Sequence, residues 1–554
     1  MTNTEIAEHF LLLAQLMEIQ GENPFKIKSY SNASDVIEEY PRELITIADD
    51  ELYQIKGIGQ AVGEKVRELQ HTGKIGALQN ILDVVPPGVV EMLKVKGLSP
   101  KKISTLWKVL DADHMDVVEK AALENRIAPI KGFGAKTQET IRTAIAFYKK
   151  SLGYFLWAKA EAAMLPVLQS LQAAFPGHRI TPVGEMRRQL DTVSAVELLT
   201  DLPADDLKTF LDKLPGFLVE EENPLSITAK AAAQPVFIFH FSTQEAYCYN
   251  QFVKTGNDEF VAAFIQQYNV PENTTSEEEI FSLNNIAFIS PALRETAAII
   301  EKAKTGSLPQ LIQPGDVKSV IHCHSTYSDG AATLEQMATA ARDKGYEYLV
   351  ISDHSQAAQY AQGLYPDKIL KQHAEIDELN KQLHPFKIFR SIEADILADG
   401  NLDYTPEILS SFDLVIASVH SNLNMNQEKA MMRLLKAIEN PFTTILGHMT
   451  GRLLLKRGGY PVDHKTIIDA CVANKVVIEI NANPRRLDLD WRWIAYALEK
   501  GALLSIDPDA HSVKGIDDIR FGVLAAQKGG VTIKDNLSSF TLEAFEQFLR
   551  DRRN

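Results

Sequence analysis

Histidines and carboxylates recur at the ends of short apolar runs in the C-terminal part of the chain. Between residues 318 and 511 they are His322, His324, Asp329, His354, Glu393, His420, His448, Asp509 and His511. Imidazole nitrogen and carboxylate oxygen suit Zn²⁺, Mn²⁺ or Fe²⁺, and thiolates are nearly absent from the set. Nine ligands exceed the needs of one ion, so we expect a centre of two or three divalent ions. A lone histidine is commonly a core or surface residue, but nine unpaired polar groups at successive strand ends would carry large desolvation costs.

The apolar runs before these groups have the pattern of strands buried on both faces. Examples are Tyr348–Ile351, Leu414–Ala417 and Val476–Ile478, and segments with helical periodicity such as Thr333–Lys344 separate them. Alternating strands and helices predict a β/α barrel, in which the C-terminal ends of the strands surround one mouth. The metal-ligand set is therefore predicted to converge there.

These groups stand in segments that resemble the motifs of the PHP (polymerase and histidinol phosphatase) domain family. The segments are His322–Gly330, Asp353–Ser355, Glu393, Ser418–Ser421, Gly447–His448 and Asp509–His511. The resemblance covers about residues 315 to 554 and implies a metal-dependent phosphoesterase with a distorted barrel and a trinuclear centre. By that resemblance the first ion is held by His322, His324, Glu393 and Asp509, the second by Glu393, His420 and His448, and the third by Asp329, His354 and His511.

Three cations follow the Gly447–His448 segment. Arg452, Lys456 and Arg457 could grip phosphates, because a guanidinium group offers a planar fork for such oxygens. The alternative is a solvated loop without a ligand, and the sequence leaves both readings open.

Bulk composition sets limits on the class of protein. The 554 residues exceed a single core, and 45% hydrophobic with 23% charged residues is the composition of an ordinary globular protein. The N-terminus carries no basic segment and no apolar run approaches the length of a membrane span, so neither secretion nor membrane spanning is predicted. Three widely separated cysteines fit a reducing cytoplasm, where we expect the protein.

A glycine turn recurs three times in the N-terminal part, between predicted helices. The candidate DNA-binding residues of these turns are Gly57, Gly59, Lys65, Gly97, Lys101, Gly132, Gly134 and Lys136. Paired glycines permit close backbone approach, and amides at the start of the following helix can bind phosphate. Residues 91–150 hold twelve Lys or Arg against seven Asp or Glu, within a chain whose net charge is −16. The turns resemble helix-hairpin-helix elements, which bind the DNA backbone without reading sequence; a helix C-cap is the alternative for any one of them.

The order of these segments resembles the bacterial family X DNA polymerases (PolX), which are related to DNA polymerase beta through their N-terminal half. Asn23–Tyr30 resembles the segment that receives a 5′ end in the lyase-like first domain. Lys65 matches the position that forms a Schiff base in eukaryotic relatives, although the neighbouring family lysine is Ala61 here, which puts lyase activity in doubt.

The middle of the chain departs from the family's nucleotidyltransferase pattern. That palm needs three carboxylates to hold two Mg²⁺ ions. Its Gly-Ser-x-Arg-Arg becomes Gly184-Glu185-x-Arg187-Arg188, and its Asp-x-Asp becomes Ala195-x-Glu197. The third carboxylate aligns with Ile238. We therefore expect a palm that keeps its fold, as Thr255-Gly256 indicates, but has lost polymerase catalysis.

The predicted architecture is multidomain α/β, with helical helix-hairpin-helix domains, a polymerase-beta-like α+β palm and thumb, and a distorted (β/α)7 PHP barrel. The expected boundaries are 1–85 lyase-like, 86–150 fingers-like, 151–305 palm and thumb, 306–315 linker and 316–554 PHP domain.

The predicted function is DNA repair, in which metal ions at the PHP centre hydrolyse DNA phosphodiesters as a 3′–5′ exonuclease or 3′-end processing enzyme, or as an abasic-site endonuclease. The expected partner is gapped, nicked or 3′-damaged DNA. We expect the protein to be a monomer and to bind no membrane. Alternatives are an active gap-filling polymerase using Glu197, a small-molecule phosphatase of the histidinol-phosphate type, and a DNA-binding scaffold with a vestigial barrel.

Overall fold

The computed structural model describes residues 3–40, 42–231 and 234–553, which divide into two compact units, Met1–Leu152 and Gly153–Asn554. This division lies within two residues of the boundary expected between fingers and palm. The finer boundaries stay predictions. Within the described residues no helix combines the length and apolar character that crossing a membrane requires.

The first unit is helical around one apolar core. Its helices are α1 (Asn3–Gln20), α2 (Pro24–Glu39), α3 (Asp49–Leu52), α4 (Gln60–Thr72), α5 (Gly76–Leu82), α6 (Pro87–Met92), α7 (Pro100–Leu110), α8 (Met115–Leu123) and α9 (Ala135–Ser151). Helices α4, α7 and α9 each follow one of the three predicted glycine turns. Their N-caps are Gly59, Ser99 and Gly134.

The second unit begins with a small mixed sheet in the order β2-β4-β7-β6-β5. Its strands and helices are β1 (Phe155–Leu156), α10 (Trp157–Ala174), β2 (Ile180–Pro182), α11 (Gly184–Arg187), β3 (Thr192–Val193), β4 (Ala195–Thr200), α12 (Ala204–Leu211), β5 (Phe217–Asn223), β6 (Ser226–Ala231), β7 (Val236–Phe241), α13 (Tyr247–Thr255), α14 (Asp258–Gln267), α15 (Glu277–Ser282) and α16 (Ala298–Lys304). Strands β4 and β7 run parallel, and the other neighbours in the sheet are antiparallel.

Seven parallel strands follow, in the order β14-β13-β12-β11-β10-β9-β8. The elements are β8 (Ser319–Cys323), α17 (Leu334–Asp343), β9 (Tyr348–Ile351), α18 (Pro366–Gln382), β10 (Lys387–Asp395), α19 (Pro406–Leu409), β11 (Leu414–Ser418), α20 (Gln427–Ile438), β12 (Thr443–Leu446), α21 (His464–Ala473), β13 (Val477–Asn481), α22 (Trp491–Glu499), β14 (Leu504–Asp507), α23 (Ile519–Gly529) and α24 (Leu542–Arg553).

The outer strands of this sheet meet and nearly close a barrel. The amide of His324 donates to the carbonyl of Ala510 at 2.8 Å, and the amide of Ala510 donates to the carbonyl of His322 at 3.3 Å. The predicted seven-stranded β/α barrel and the mixed α/β class are therefore confirmed.

One end of the barrel interior is apolar and filled by the last helix. The ring of Phe545 on α24 lies 4.7 Å from that of Tyr348 and 4.9 Å from that of Phe389, among inward-facing strand residues. Because this plug excludes water from the N-terminal ends of the strands, the polar side chains are confined to the opposite mouth, as in other β/α barrels.

Candidate metal centre

The mouth of the barrel brings together all nine side chains that the sequence singled out as metal ligands. They stand on or just after the C-terminal ends of β8, β9, β10, β11, β12 and β14. Parallel strands end at the same edge, so residues far apart in the chain meet there. His511 and Asp329 are partly exposed, whereas the other seven side chains are at least nine-tenths buried.

Glu393 is at the centre of this group. Its Oε1 lies 3.0 Å from Nε2 of His420, 3.0 Å from Nε2 of His448 and 3.4 Å from Nε2 of His322. Its Oε2 lies 2.9 Å from Nδ1 of His354 and 3.8 Å from Nε2 of His324. A carboxylate surrounded by five imidazoles could contribute its oxygens to a divalent-cation site.

Three overlapping sets of potential ligands can be drawn from these side chains, each with ligand atoms within 4.8 Å of one another. The sets are His322–His324–Asp509, His354–Glu393–His420 and His324–Asp329–His354–His511. His324 and His354 each belong to two sets. The grouping implied by the family resemblance places His354 with Asp329 and His511, whereas in the structure His354 also contacts Glu393.

The residues present fit divalent cations. Nε2 of His322 and Nδ1 of His324 are buried ligand atoms without a hydrogen-bond partner among the described residues, and the close approach of Nδ1 of His354 to Oε2 of Glu393 lacks hydrogen-bond geometry. Leaving such groups unpaired in a protein interior is costly, whereas a cation would satisfy them. The donor set is all nitrogen and carboxylate oxygen, which suits Zn²⁺, Mn²⁺ or Fe²⁺.

A second layer of acidic side chains orients the ligands. Oε2 of Glu479 lies 3.1 Å from Nδ1 of His322 and accepts a hydrogen bond from the amide of His448 at 3.2 Å. Asp395 pairs with Nδ1 of His420. Asn481 donates to Glu479 at 2.6 Å and to Asp509 at 3.1 Å, linking this layer to a ligand.

Sequence reasoning assigned no role to Glu479 or Asp395. Each nevertheless carried a signal, because Glu479 ends an apolar run and Asp395 lies two residues after Glu393 on the same face of β10.

The segment that carries Asp329 is anchored by Asp353. The Asp353 carboxylate accepts hydrogen bonds from the amide and hydroxyl of Ser325, from the Ser328 hydroxyl and from the Gln372 amide. Burial raises its pKa, an effect that the hydrogen bonds from Ser325 and Ser328 oppose. Asp353 therefore fixes the loop before Asp329 and leaves His354 as the ligand of its motif.

The local charges set opposite protonation states on neighbouring imidazoles in the absence of metal. Burial, with the charges of His511 and His354, lowers the pKa of His324 to about 3. Burial also opposes the charge on His420 and His511, but Glu393 and Asp395 raise the pKa of His420 to about 10, and Asp329 and Asp509 raise that of His511 to about 9. The site therefore holds protons that cations must displace.

The carboxylates of the centre stay ionised. Burial of Glu393 favours its protonated form, but the charges of His420, His322 and His354 outweigh burial and hold its pKa well below the usual range. The hydrogen bond from His511 and the neighbouring imidazole charges likewise lower the pKa of Asp329 to about 2, against burial.

Arg452 and Arg457, two of the predicted phosphate-binding residues, are engaged by the protein itself. The Arg452 guanidinium donates to the carbonyls of Arg486 and Leu487 and to the carboxylates of Asp490 and Asp191, and its side chain is only 12% exposed. Both Nε and Nη2 of Arg457 donate to the carbonyl of Gly451. Their guanidinium groups thus hold loops of the barrel mouth, and their predicted phosphate contacts stay predictions.

Lys456 is exposed on the same loop and keeps its predicted role as an expectation. Sequence reasoning missed another cation, Arg486, whose Nε lies 3.6 Å from Oδ2 of Asp509. A pair of arginines directly after the β13 strand end, Arg485 and Arg486, was the available signal.

The three glycine turns of the first unit have the same geometry. Their first glycines, Gly57, Gly97 and Gly132, have φ values of 100°, 91° and 90°, in the left-handed region that favours glycine. The residue after each donates to an apolar residue three positions earlier: Ile58 to Ile55 at 2.9 Å, Leu98 to Val95 at 3.1 Å and Phe133 to Ile130 at 2.9 Å. The three turns that the sequence identified as a repeat therefore share one backbone conformation. Their predicted DNA contacts stay predictions.

The lysines assigned to these turns differ in their surroundings. Lys101 and Lys136 are exposed in the first turns of α7 and α9. Lys65 is half-buried on α4, with its Nζ 5.7 Å from the ring centroid of Tyr30. Its match to the Schiff-base position stays a prediction.

The middle sheet places the positions that align with the family's polymerase carboxylates side by side. Glu197 on β4 lies opposite Ile238 on β7, and Ala195 points to the same face of β4 as Glu197. The Glu197 carboxylate pairs with Nε2 of His240 at 2.9 Å. It also fills the space beside Gly184, where an added Cβ would lie 2.0 Å from its Oε1.

The other polar groups of this region are paired within the protein. Glu185 accepts hydrogen bonds from the amide and hydroxyl of Ser194 at 2.6 and 2.9 Å. Arg187 pairs with Glu277 at 2.7 Å, and Arg188 pairs with Glu295 at 2.9 Å.

Two family models match the chain. A helix-hairpin-helix domain matches residues 1–75, and a PHP domain matches residues 321–483. The chain is 31% identical to the DNA polymerase/3'-5' exonuclease PolX of Bacillus subtilis, over 97% of each chain. It is 25% identical to a probable phosphatase of Thermoanaerobacter sp. over 43% of this chain and 97% of that protein. The probable phosphatase YcdX of Escherichia coli is 26% identical over 42% of this chain and 82% of that protein.

The fold and the site thus define a multidomain protein with an N-terminal helix-hairpin-helix domain and a C-terminal PHP domain. The chain belongs to the bacterial family X DNA polymerases that carry a PHP domain. The family resemblance drawn from the motifs is therefore confirmed.

Proposed function

We propose that the centre at the barrel mouth hydrolyses DNA phosphodiesters with divalent ions, removing nucleotides or blocking groups from 3′ ends during DNA repair. The observation that carries the proposal is the set of five imidazoles around Glu393, with ligand atoms left unpaired by the protein. The Bacillus subtilis relative is named a DNA polymerase/3'-5' exonuclease, which supports the same function for this chain.

The residues of the centre would act by holding charge in a fixed geometry. Glu393 would share its oxygens between neighbouring ions, and Glu479 and Asp395 would keep His322 and His420 aimed at them. Divalent ions held there supply positive charge for the anionic phosphate and activate water for attack at neutral pH. The helix-hairpin-helix turns of the first unit would bind the backbone of gapped or nicked DNA.

The middle domain is proposed to be a DNA-binding scaffold without polymerase catalysis. Ile238 and Ala195 offer no oxygen to a metal ion, and Glu197 is paired with His240. Glu185 adds a negative charge where the family pattern has a serine that cradles triphosphate. These features leave one carboxylate where two-metal phosphoryl transfer uses three.

The test is an activity panel on DNA with Mn²⁺ and the full chain. Gapped, 3′-blocked and abasic duplexes, each labelled at the 5′ end, would be compared with the same duplexes treated with His324→Ala. We expect shortening or unblocking of 3′ ends by the parent protein, and its loss in the variant. Intact DNA throughout the panel, with Mn²⁺ bound to the parent protein, would overturn the proposal.

Cleavage of the abasic duplex alone would assign the centre to abasic-site incision rather than 3′-end processing. Metal analysis of the purified protein decides the scaffold alternative, because a vestigial barrel would contain no transition metal. Primer extension with dNTPs addresses the polymerase alternative, which predicts incorporation that Glu197→Ala abolishes.

A small-molecule phosphatase is the second candidate, because the barrel region is similar to two probable phosphatases over most of their length. Turnover of histidinol phosphate would be measured beside turnover of the labelled duplexes, with the same His324→Ala control. Hydrolysis of the monoester with intact DNA would favour this candidate.

A further inference from the structure

The guanidinium group of Arg486, unlike those of Arg452 and Arg457, is not engaged in hydrogen bonds with the described residues of the surrounding loops. Its side chain is 21% exposed, and its Nε lies 3.6 Å from Oδ2 of Asp509, a candidate ligand. Among the described residues its guanidinium forms no hydrogen bond, whereas those of Arg452 and Arg457 are occupied by carbonyls. The guanidinium therefore faces the mouth of the centre with its donors available.

The loop that carries Arg486 is held by its own hydrogen bonds. Asn483 accepts through its side chain from the amide of Arg485 and through its carbonyl from the amide of Arg486, at 3.0 and 2.8 Å. Asp488 accepts from the amide and hydroxyl of Thr450 at 2.9 and 2.8 Å. The backbone of Arg486 is therefore already ordered before an anion binds.

Arg452 connects this loop to the middle domain. Its Nε donates to the carbonyl of Arg486 at 2.9 Å, and its Nη2 donates to the carbonyl of Leu487 and, at 3.4 Å, to Oδ2 of Asp191. Asp191 is itself buried, and its other oxygen accepts from the amide of Thr192 at 3.1 Å. A chain of contacts thus runs from the middle sheet, through Arg452, to the backbone of Arg486.

The two domains are packed against each other around this chain of contacts. Trp157 of the middle domain meets Phe521 of α23 edge to face, with centroids 6.2 Å apart. Nζ of Lys528, whose side chain is fully buried, donates to the carbonyl of Arg188 at 2.9 Å and to Glu295 at 2.6 Å. The Asp191–Arg452 contact is therefore part of a packed interface between the middle domain and the barrel.

We propose that Arg486 binds a phosphate of the DNA strand that enters the metal centre, and that Arg452 and Asp191 are positioning residues that hold it there. The inference rests on the proposed function, because it assigns the substrate's phosphate to a named side chain of that site. It gives the middle domain a part in hydrolysis that is independent of polymerase chemistry. A guanidinium fork matches two phosphate oxygens, and such charged hydrogen bonds are strong.

The first test measures binding apart from turnover. Thymidine 5′-monophosphate would be titrated into the Mn²⁺-loaded full chain by calorimetry, with Arg486→Ala, Arg486→Lys and the exposed neighbour Arg485→Ala as a matched control. We expect the dissociation constant to rise about 10- to 100-fold in Arg486→Ala, the loss of one charged hydrogen-bonding group. Arg486→Lys should recover part of this affinity and Arg485→Ala should match the parent. Equal affinity of Arg486→Ala and Arg485→Ala would overturn the inference.

The second test asks whether Asp191 acts through Arg486. The substrate is a labelled single-stranded oligonucleotide. We expect Asp191→Asn and Arg452→Lys each to raise KM several-fold, roughly the effect of weakening one positioning contact. The amount of bound Mn²⁺ should be unchanged. In the Arg486→Ala background, Asp191→Asn should add nothing, because the residue that it positions is gone. Additive effects would overturn the positioning role.

These outcomes separate the inference from the proposed function. A parent protein that cuts DNA while Arg486→Ala behaves like Arg485→Ala leaves the proposed function standing and rejects the inference. A parent protein that cuts no DNA rejects the proposed function, and the monophosphate titration still decides whether Arg486 binds phosphate.

Discussion

Glu479 holds the ring of His322 from the side opposite the centre. Its Oε2 lies 3.1 Å from Nδ1 of His322, while Nε2 of the same ring lies 3.4 Å from Oε1 of Glu393. A carboxylate on one nitrogen keeps the proton there and leaves the other nitrogen free to ligate metal. Although burial opposes protonation, the charges of Glu479, Glu393 and Asp509 raise the pKa of His322 well above its ordinary value in the metal-free protein.

Replacing Glu479 by glutamine should weaken metal binding without removing a ligand. We expect the affinity for Mn²⁺ or Zn²⁺ to fall about 10- to 100-fold, the usual cost of losing a partner that orients a ligating histidine. Chelator competition with the purified protein measures this affinity. Glu499→Gln, on the exposed face of α22, is the control. Unchanged affinity in Glu479→Gln would mean that His322 is oriented by other contacts or does not ligate.

Metal affinity should increase steeply with pH. In the metal-free protein the pKa of His420 is about 10 and that of His511 about 9, so both rings are protonated at neutral pH and must lose protons to ligate. The pKa of His322 is likewise raised, so three protons are released, and the logarithm of the affinity should rise by up to about 3 per pH unit below pH 9. Chelator competition between pH 6 and 9 measures the slope.

Asp395→Asn supplies the matched control for this pH dependence. It removes one of the charges that keep His420 protonated, while Glu393 remains, so the slope should fall by up to about one proton. The stability of the metal-free protein should change in the opposite sense. Because the pKa values of His420 and His511 in the folded protein exceed the ordinary value of 6.5, their protonation stabilises the folded state fully below pH 6.5. This stabilisation is lost as the pH rises through about 9 and 10. A metal affinity independent of pH would contradict the protonation states assigned here.

The barrel and the cluster of potential ligands at its mouth could be predicted from the sequence because their signals are local. Buried parallel strands are continuous apolar runs, and a polar residue at the end of such a run is visible without knowledge of its partners. His354 and the strand Tyr348–Ile351 before it are recognised in this way. The regular alternation of strands and helices predicts parallel strands joined by helical crossovers, and closure into a barrel is implied by the resemblance to the PHP motifs.

The roles of the arginines could not be predicted, because they depend on contacts between distant parts of the chain. Arg452 and Arg486 are equally cationic in the sequence, but Arg452 is directed into the carbonyls of the following loop and towards Asp191, 261 residues away in the chain. Nothing in the sequence near Arg452 marks that partner. The same limit applies to His240, whose pairing with Glu197 requires the register of β4 and β7.

A buried ion pair supports the helices after the middle sheet. Nη1 of Arg294, with no exposed surface, lies 2.6 Å from Oε1 of Glu277, which also pairs with Arg187. Glu277→Gln would leave the Arg294 charge buried and uncompensated, so we expect a local loss of stability of about 3–5 kcal/mol. Hydrogen exchange of residues 247–282 measures this loss in a chain of several domains. The exposed neighbour Glu278→Gln should be near neutral, and equal protection in both variants would contradict the prediction.

The glycine turns of the first unit make a prediction about salt. Lys101 and Lys136 are exposed in the first turns of α7 and α9, beside turns whose geometry repeats. If each neutralises a DNA phosphate, replacing one by alanine should lower the slope of log affinity against log salt by about 0.9, and replacing both by about 1.8. Fluorescence anisotropy of a labelled gapped duplex between 50 and 200 mM KCl measures the slope.

Sequence dependence separates backbone binding from base reading in the same experiment. Contacts to phosphate carry no base information, so the affinity lost in the double variant should be the same for duplexes of unrelated sequence. Lys534→Ala, an exposed lysine of the C-terminal part, is the control for loss of charge alone. A double variant with the parent's slope would place the DNA-binding surface elsewhere. A loss that differs between duplexes would mean that these helices reach the bases, because only base contacts or sequence-dependent deformation distinguish one duplex from another.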